Sequence, residues 1–294
     1  MLSASYYWPI QDSYHPLNNS WNGCSEVASS TKNTTLLLSF SRELPRNSTL
    51  VIIGPSLPYS MTDGAIIRNY LDSNGTVLLA DDFGSGNSLL EELNVSARFA
   101  GKPLADLYAY SKNPSFPLVS GFSHSPLSDN VSVVILDHPS FLDIRDSRQV
   151  TILASSSPFS FIDVQGNGKP AQNESVNSYP VIAYAHVGAG SLVLIADASM
   201  FINEMIGLYD NTRLFANVVK AGGSSLVFDI AHLANAPLTG MRLMMKNSLD
   251  GLIRFAQASI YLQVLIVVLV VAVSLPFQLV RQAKRRKVTV TFYT

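Results

Sequence analysis

The sequence predicts an α/β domain with a largely parallel sheet sandwiched by helices, followed by one C-terminal transmembrane helix. Three observations carry this. Short apolar runs alternate with helical patterns between residues 35 and 240, the signature of an α/β sheet. Residues 49–80 read as strand, helix, strand, and a crossover of about 30 residues makes its two strands parallel. Near the end, Ile260–Val280 read IYLQVLIVVLVVAVSLPFQLV without a formal charge. At 1.5 Å per residue such a run spans the roughly 30 Å hydrocarbon core of a bilayer.

The elements follow in order. Thr35–Phe40 is a short strand, and Thr49–Ile53 is a clearer one, ended by Gly54-Pro55. Ser60 or Thr62 can cap a helix over Asp63–Asp72, whose Ala65, Ile66, Tyr70 and Leu71 form an apolar stripe. Asn74-Gly75 turns the chain into the strand Thr76–Ala80, and a helix at Ser88–Leu93 comes after Asp81–Asn87. Residues 100–128, with Pro103, Pro114, Pro117 and Pro126, read as an irregular surface insertion. Val131–Leu136 and Val150–Ala154 are strands. Tyr179–His186 and Ser191–Ala196 flank Val187-Gly188-Ala189-Gly190 as a hairpin. Helices at Phe201–Ile206 and Asn211–Lys220 precede a last strand, Leu226–Ile230. Residues 1–34 are an N-terminal extension, 35–240 the domain, 241–258 an amphipathic juxtamembrane helix, 259–280 the span and 281–294 a basic tail.

Arg281, Lys284, Arg285, Arg286 and Lys287 follow the apolar run. Such a cluster marks a cytoplasmic flank, so the tail is expected inside, the domain outside, and the lipid bilayer is a partner. Against a total of −1, the +5 tail leaves −6 on the rest of the chain. An acidic domain excludes a nucleic-acid footprint. Asn-x-Ser/Thr sequons stand at Asn18, Asn33, Asn47, Asn74, Asn94, Asn130 and Asn173, where composition alone predicts roughly three. They suit an external, glycosylated face, or a bias toward Asn, Ser and Thr. Met1–Tyr6 carry no export signal, so an upstream hydrophobic segment is expected; a tail-anchored protein with its domain in the cytoplasm is the alternative.

Chemistry is sparse. Ligands of parallel sheets gather at the carboxyl ends of strands, and Asp81, Asp82, Asp137 and Asp197 fall there. Converged, they would hold Mg²⁺ or Ca²⁺; separately, each caps the turn or helix after it. Gly84-Ser85-Gly86-Asn87 lacks the Lys-Ser/Thr of a phosphate loop. Cys24 is the one cysteine, ahead of the first clear strand, and is expected to be inert. The five histidines lack zinc spacing, and Asp229 and His232 suit a local hydrogen bond. No cofactor is expected.

Val51-Ile52-Ile53-Gly54-Pro55, then Asn74–Asp82, then Gly188–Ser199 with Asn203 and Asp210-Asn211, together with Trp21-Asn22-Gly23, resemble a family of prokaryotic membrane proteins, domain of unknown function 4350. The resemblance covers roughly residues 15–235 and points to an archaeal member. It implies a fold like that of class I glutamine amidotransferases. In those enzymes the nucleophilic cysteine follows a central strand; here that place reads Ala80-Asp81-Asp82-Phe83. The resemblance thus implies the fold without the activity. It also implies an envelope or membrane protein partner, in a system linked to MoxR-type ATPases. The expected function is a non-enzymatic, membrane-anchored binding or assembly domain at the cell surface. The alternatives are a metal-assisted hydrolase using Asp82, Asp137 and Asp197, and a structural subunit of a surface layer or envelope complex.

Overall fold

The computed structural model describes residues 10–41, 43–171, 175–259 and 263–273. The chain divides into two units, residues 8–240 and residues 1–7 with 241–294.

In the first unit, a short helix α1 (Ser25–Ser29) precedes strand β1 (Thr34–Leu37). Strand β2 (Ser48–Ile53) and strand β3 (Thr76–Ala80) flank helix α2 (Met61–Asp72). Ten of the eleven residues of β2 and β3 are apolar or Thr, and all are buried, as strands covered on both faces must be. Ser60 caps α2: its hydroxyl accepts from the Asp63 N–H, and the Asp63 carboxylate accepts from the Ser60 N–H. Helix α3 (Gly86–Glu92) follows β3.

The next segment is not the irregular insertion that its prolines suggest. Strand β4 (Ala97–Phe99) pairs with β8 (Leu142–Ile144), β5 (Leu104–Asp106) with β10 (Ser160–Ile162), and β6 (Leu118–Ser120) with β7 (Val133–Ile135), all antiparallel. The predicted strand around Val131–Leu136 therefore lies in a small ribbon outside the main sheet. Strand β9 (Val150–Ser155) returns to the main sheet. Strands β11 (Pro180–Val187) and β12 (Gly190–Ile195) form the expected hairpin. Gly188 has φ +59° at the first turn position, which a type II′ hairpin requires. The predicted helix at Phe201–Ile206 is instead a 3-10 turn at Ser199–Phe201 with turns after it. The Asn211 amide donates to the carbonyls of Ile135 and Met205 at the end of these turns. Helix α4 (Asn211–Gly222), strand β13 (Ser225–Asp229) and the start of helix α5 (Ala236–Ala258) complete the unit.

The main sheet runs β1-β13-β2-β3-β12-β11-β9. β1, β13, β2, β3 and β12 are mutually parallel, and β11 is antiparallel to both of its neighbours. Leu50, Ile52, Val77, Leu79, Leu192 and Leu194 share one core with Ile67 and Leu71 of α2 and Leu89 and Leu90 of α3. The alternate residues face the other way, where Thr49 donates to the Val219 carbonyl of α4. Helices thus cover both faces, with the strand ends and their loops left to form a rim.

In the second unit, α5 runs on to Ala258 and residues 263–273 are helical. The predicted span lies partly outside the described residues (260–262 and 274–280), as do Arg281, Lys284, Arg285, Arg286 and Lys287. Among the described residues, no helix is long and apolar enough to cross a membrane.

Candidate functional site

The four aspartates named from sequence do gather at the carboxyl ends of the strands, but as hydrogen-bond acceptors for the loops. Asp81 follows β3 and is buried. Its carboxylate accepts from the N–H groups of Asp82 at 2.9 Å, Gly84 at 2.9 Å and Gly86 at 2.7 Å, shaping the turn into α3. Burial lifts its pKa to about 6, with the Asp82 charge adding to the lift, despite these donors. Asp197 follows β12 and is fully buried. It accepts from the Asp137 N–H at 2.6 Å and the Met200 N–H at 3.1 Å. Burial, then the Asp82 charge, lifts it well above the carboxylate range. Asp82 accepts from the Phe83 and Ala198 N–H groups and is also lifted, by burial first and by Asp137 in addition. Asp137 follows β7 and meets His138 Nδ1 at 2.6 Å.

Among the described residues, no group of three or more His, Cys, Asp or Glu is placed to hold a metal ion. The reason is the donor set: Asp81 and Asp197 are directed at backbone N–H groups, as capping residues are.

These three raised carboxyls give a pH prediction. Each binds its proton more tightly in the folded chain. Their contribution is therefore present below the ordinary aspartate value of 3.8 and is lost as pH rises through about 6, for Asp81, and through the raised folded values of Asp82 and Asp197. Asp82→Asn removes one of these mutually repelling charges. Its urea midpoint relative to the parent chain is expected to be higher at pH 8 than at pH 5; an equal difference at both values counts against the cluster.

Sequence reasoning missed Tyr14. It has φ +61°, and its ring lies against Gly54 at the end of β2, where an added Cβ would come within 2.3 Å of a ring carbon. Its hydroxyl lies 3.1 Å from Ser199 Oγ, and burial raises its pKa. The ring also packs on Ile135, Ile202 and Met205. Residues 10–24 thus form a wall of the site. Asn203 fastens it, donating to the carbonyls of Asn18 and Ser20 and accepting from the Glu26 N–H. The sequence signal was Trp21-Asn22-Gly23: a Cβ on Gly23 would fall 1.9 Å from the Asn18 carbonyl oxygen.

A second polar group closes the sheet end at β13. Asp229 Oδ2 accepts from the Tyr59 hydroxyl at 2.5 Å and meets His232 Nδ1 at 2.8 Å, the local bond expected from sequence. Tyr59 and His232 stack with centroids 3.7 Å apart, and His232 Nε2 lies 3.6 Å from Asp63. Burial draws the His232 pKa down, but the bond to Asp229 and the charges of Asp229 and Asp63 prevail, so it ends raised.

Cys24 is fully buried, and burial holds its thiol protonated. The sequons divide. Asn18 is buried, its amide donating to the Asp12 carbonyl and to Asn22 Oδ1; in the folded chain it is closed to a glycan. Asn33, Asn47, Asn74, Asn94 and Asn130 are exposed, and Asn173 lies outside the described residues. The last four of those exposed have φ between +51° and +64°, a left-handed conformation that Asn tolerates.

The family described as Domain of unknown function (DUF4350) matches residues 16–219. None of the curated proteins matches the chain. Among solved structures, the chain is similar to the mmIFT52 N-terminal domain (19% identity, 58% of this chain and 75% of that one, TM-score 0.46). It is also similar to a ThuA-like protein from Bacteroides uniformis (10% identity, 59% and 67%, TM-score 0.36). A third likeness is to a cytoplasmic protein from Salmonella typhimurium LT2 (13% identity, 60% and 72%, TM-score 0.39).

Proposed function

The chain belongs to the DUF4350 family, and from that premise we propose that it is a non-enzymatic recognition or assembly domain, tethered to a membrane and facing outward. The observation that carries this is the turn after β3. In the amidotransferases to which we relate the fold, that turn presents a nucleophile. Here its buried acid is turned inward, held by three backbone N–H groups, while Phe83, two residues on, is 52% exposed. Leu57 is exposed on the neighbouring loop after β2, which the Ser85 N–H and hydroxyl fasten to the β3 loop through the carbonyls of Pro55 and Ser56. Exposed apolar side chains on loops fixed to a rigid sheet suit protein recognition. The partner we propose is an envelope or membrane protein of a system linked to MoxR-type ATPases. The host we propose is archaeal, with glycans on the exposed sequons.

The tether is read from the continuous apolar run through residues 264–273 and the five cations after Val280. Moving each cation away from an anionic inner leaflet costs about 1 kcal/mol or more, so the tail stays inside.

Two measurements test this. Protease added to intact cells is expected to remove the domain and spare the tail; protection until lysis would overturn the outward topology. In detergent-solubilised native membrane, the intact chain is expected to co-purify with a membrane protein that Phe83→Asp loses while keeping its unfolding midpoint. Equal recovery by both chains would overturn the role given to this rim.

A further inference from the structure

We propose that residues 241–258 lie in the plane of the membrane interface, with one side of the helix in the acyl boundary and the other on anionic headgroups. The proposal rests on the reading of the following run as a membrane anchor, and adds a second, different contact with lipid.

The first observation is angular. At 3.6 residues per turn, Met241, Met244, Met245, Leu249, Leu252 and Phe255 fall within one arc of about 140° on the α5 helix. Arg242, Lys246, Asp250 and Arg254 fall outside that arc, three cations to one acid, with Leu243 and Ile253 between them. The second is exposure. Met244 is 62% exposed, and Leu252 and Phe255 are each 65% exposed. An apolar arc of this size does not stay in water without a partner to cover it.

The third observation identifies the cover. A few residues beyond α5, the helix at 263–273 is exposed and apolar around its whole circumference, from Val264 to Val273. The two segments therefore ask for different surroundings. A helix apolar all round requires hydrocarbon on every side. One with a broad apolar arc and three cations outside it suits the boundary between hydrocarbon and anionic headgroups, where such helices sit about 5–10 Å deep. Chain continuity brings the second kind to the membrane surface that the first kind enters. The cations add attraction to an acidic leaflet. A protein groove would satisfy the apolar arc but gives no account of the cations outside it.

The experiment uses the full chain reconstituted in phosphatidylcholine vesicles containing one third phosphatidylglycerol. Single cysteines carrying a nitroxide are placed in a Cys24→Ser background at 244, 252 and 255, at 246, 250 and 257, and at 266 and 270. If Cys24→Ser fails to fold, the native chain serves, because its thiol is buried beyond reach of the label. The readout is collision of the nitroxide with oxygen, which concentrates in lipid, against a water-soluble nickel complex. Positions 244, 252 and 255 are expected to favour oxygen several-fold over 246, 250 and 257. Omitting phosphatidylglycerol is expected to shrink that difference. Positions 266 and 270 should be the deepest.

If all six α5 positions favour nickel alike while 266 and 270 stay deep, the interfacial helix is wrong and the anchor stands. If 266 and 270 also favour nickel, the anchor reading fails as well. If 244, 252 and 255 are shielded from both oxygen and nickel, protein covers them, from a partner or a second copy, and the lipid assignment is overturned.

Discussion

Asp229→Ala is expected to lower the unfolding free energy of the domain by about 3–5 kcal/mol, the range for breaking a buried charged pair from one side. Asp229 is 2% exposed and serves three donors. Its carboxylate takes the Tyr59 hydroxyl, His232 Nδ1 and the Ala231 N–H. Truncation strands all three in a site that Phe40 also covers, its ring 5.4 Å from that of His232. The loss reaches past the side chains, because the His232 carbonyl accepts the N–H groups of Ser56 and Leu57. The β2 loop that presents Leu57 is thereby pinned to the end of β13. The pH dependence has a definite sign. The folded pKa of His232 is raised, so its contribution is complete below the unfolded value of about 6.5 and fades as pH rises through the folded value. Asp229→Ala should remove that part of the slope. Denaturant midpoints from pH 5 to 8 measure both effects; an unchanged midpoint would mean that the network holds nothing.

Gly54→Ala is expected to cost about 2–5 kcal/mol. The left-handed backbone there accounts for roughly 1–2 kcal/mol, and forcing a methyl into a filled site for about 1–3 kcal/mol more. The methyl has no room, since three atoms of the Tyr14 ring would lie within 2.9 Å of it. Two comparisons separate the terms. Gly101 has a similar φ, +62°, but nothing within 4 Å of the added carbon, so Gly101→Ala should show the backbone part alone. In a Tyr14→Ala background the collision disappears, and Gly54→Ala should fall to that same smaller loss. If the loss at Gly54 is unchanged without the ring, Tyr14 does not occupy the position described. Because Tyr14 bonds to Ser199, the variant should also loosen the wall built by residues 10–24, read as faster cleavage there by a protease under native conditions.

How far the chain could be read from its residues depended on the length of each element. The β2-α2-β3 unit was plain, because two runs buried on both faces are punctuated by Gly54-Pro55 and Asn74-Gly75 and Ser60 pairs with Asp63 across the first helical turn. The β11-β12 hairpin was equally plain from Gly188. The ribbons β4–β8, β5–β10 and β6–β7 were not, since three-residue strands are shorter than any apolar period. Phe201–Ile206 has helical spacing, but the N–H groups of Phe201, Ile202, Met205 and Leu208 bond three residues back, in successive turns. The location of the acids was legible from strand ends; their role was not, because the donors that hold Asp81 and Asp197 are backbone groups with no residue signature. Tyr14 sits in an irregular segment where no periodicity flags it. Some of the sequons arise from turn grammar. At Asn47 and Asn74 a left-handed Asn ends a loop, and Thr49 and Thr76 belong to the strand that follows.

Asn18 turns that coincidence into a kinetic contest. On the glycosylated reading proposed above, a transferring enzyme would meet the chain while it is extended, when Asn18 is as open as any other sequon. Once residues 10–24 have docked, its amide is committed to Asp12 and Asn22. A sugar attached first would bar the docking; docking first would bar the sugar. The fraction of molecules modified at Asn18 would therefore act as a clock, set by how quickly the segment that carries Tyr14 closes over the sheet.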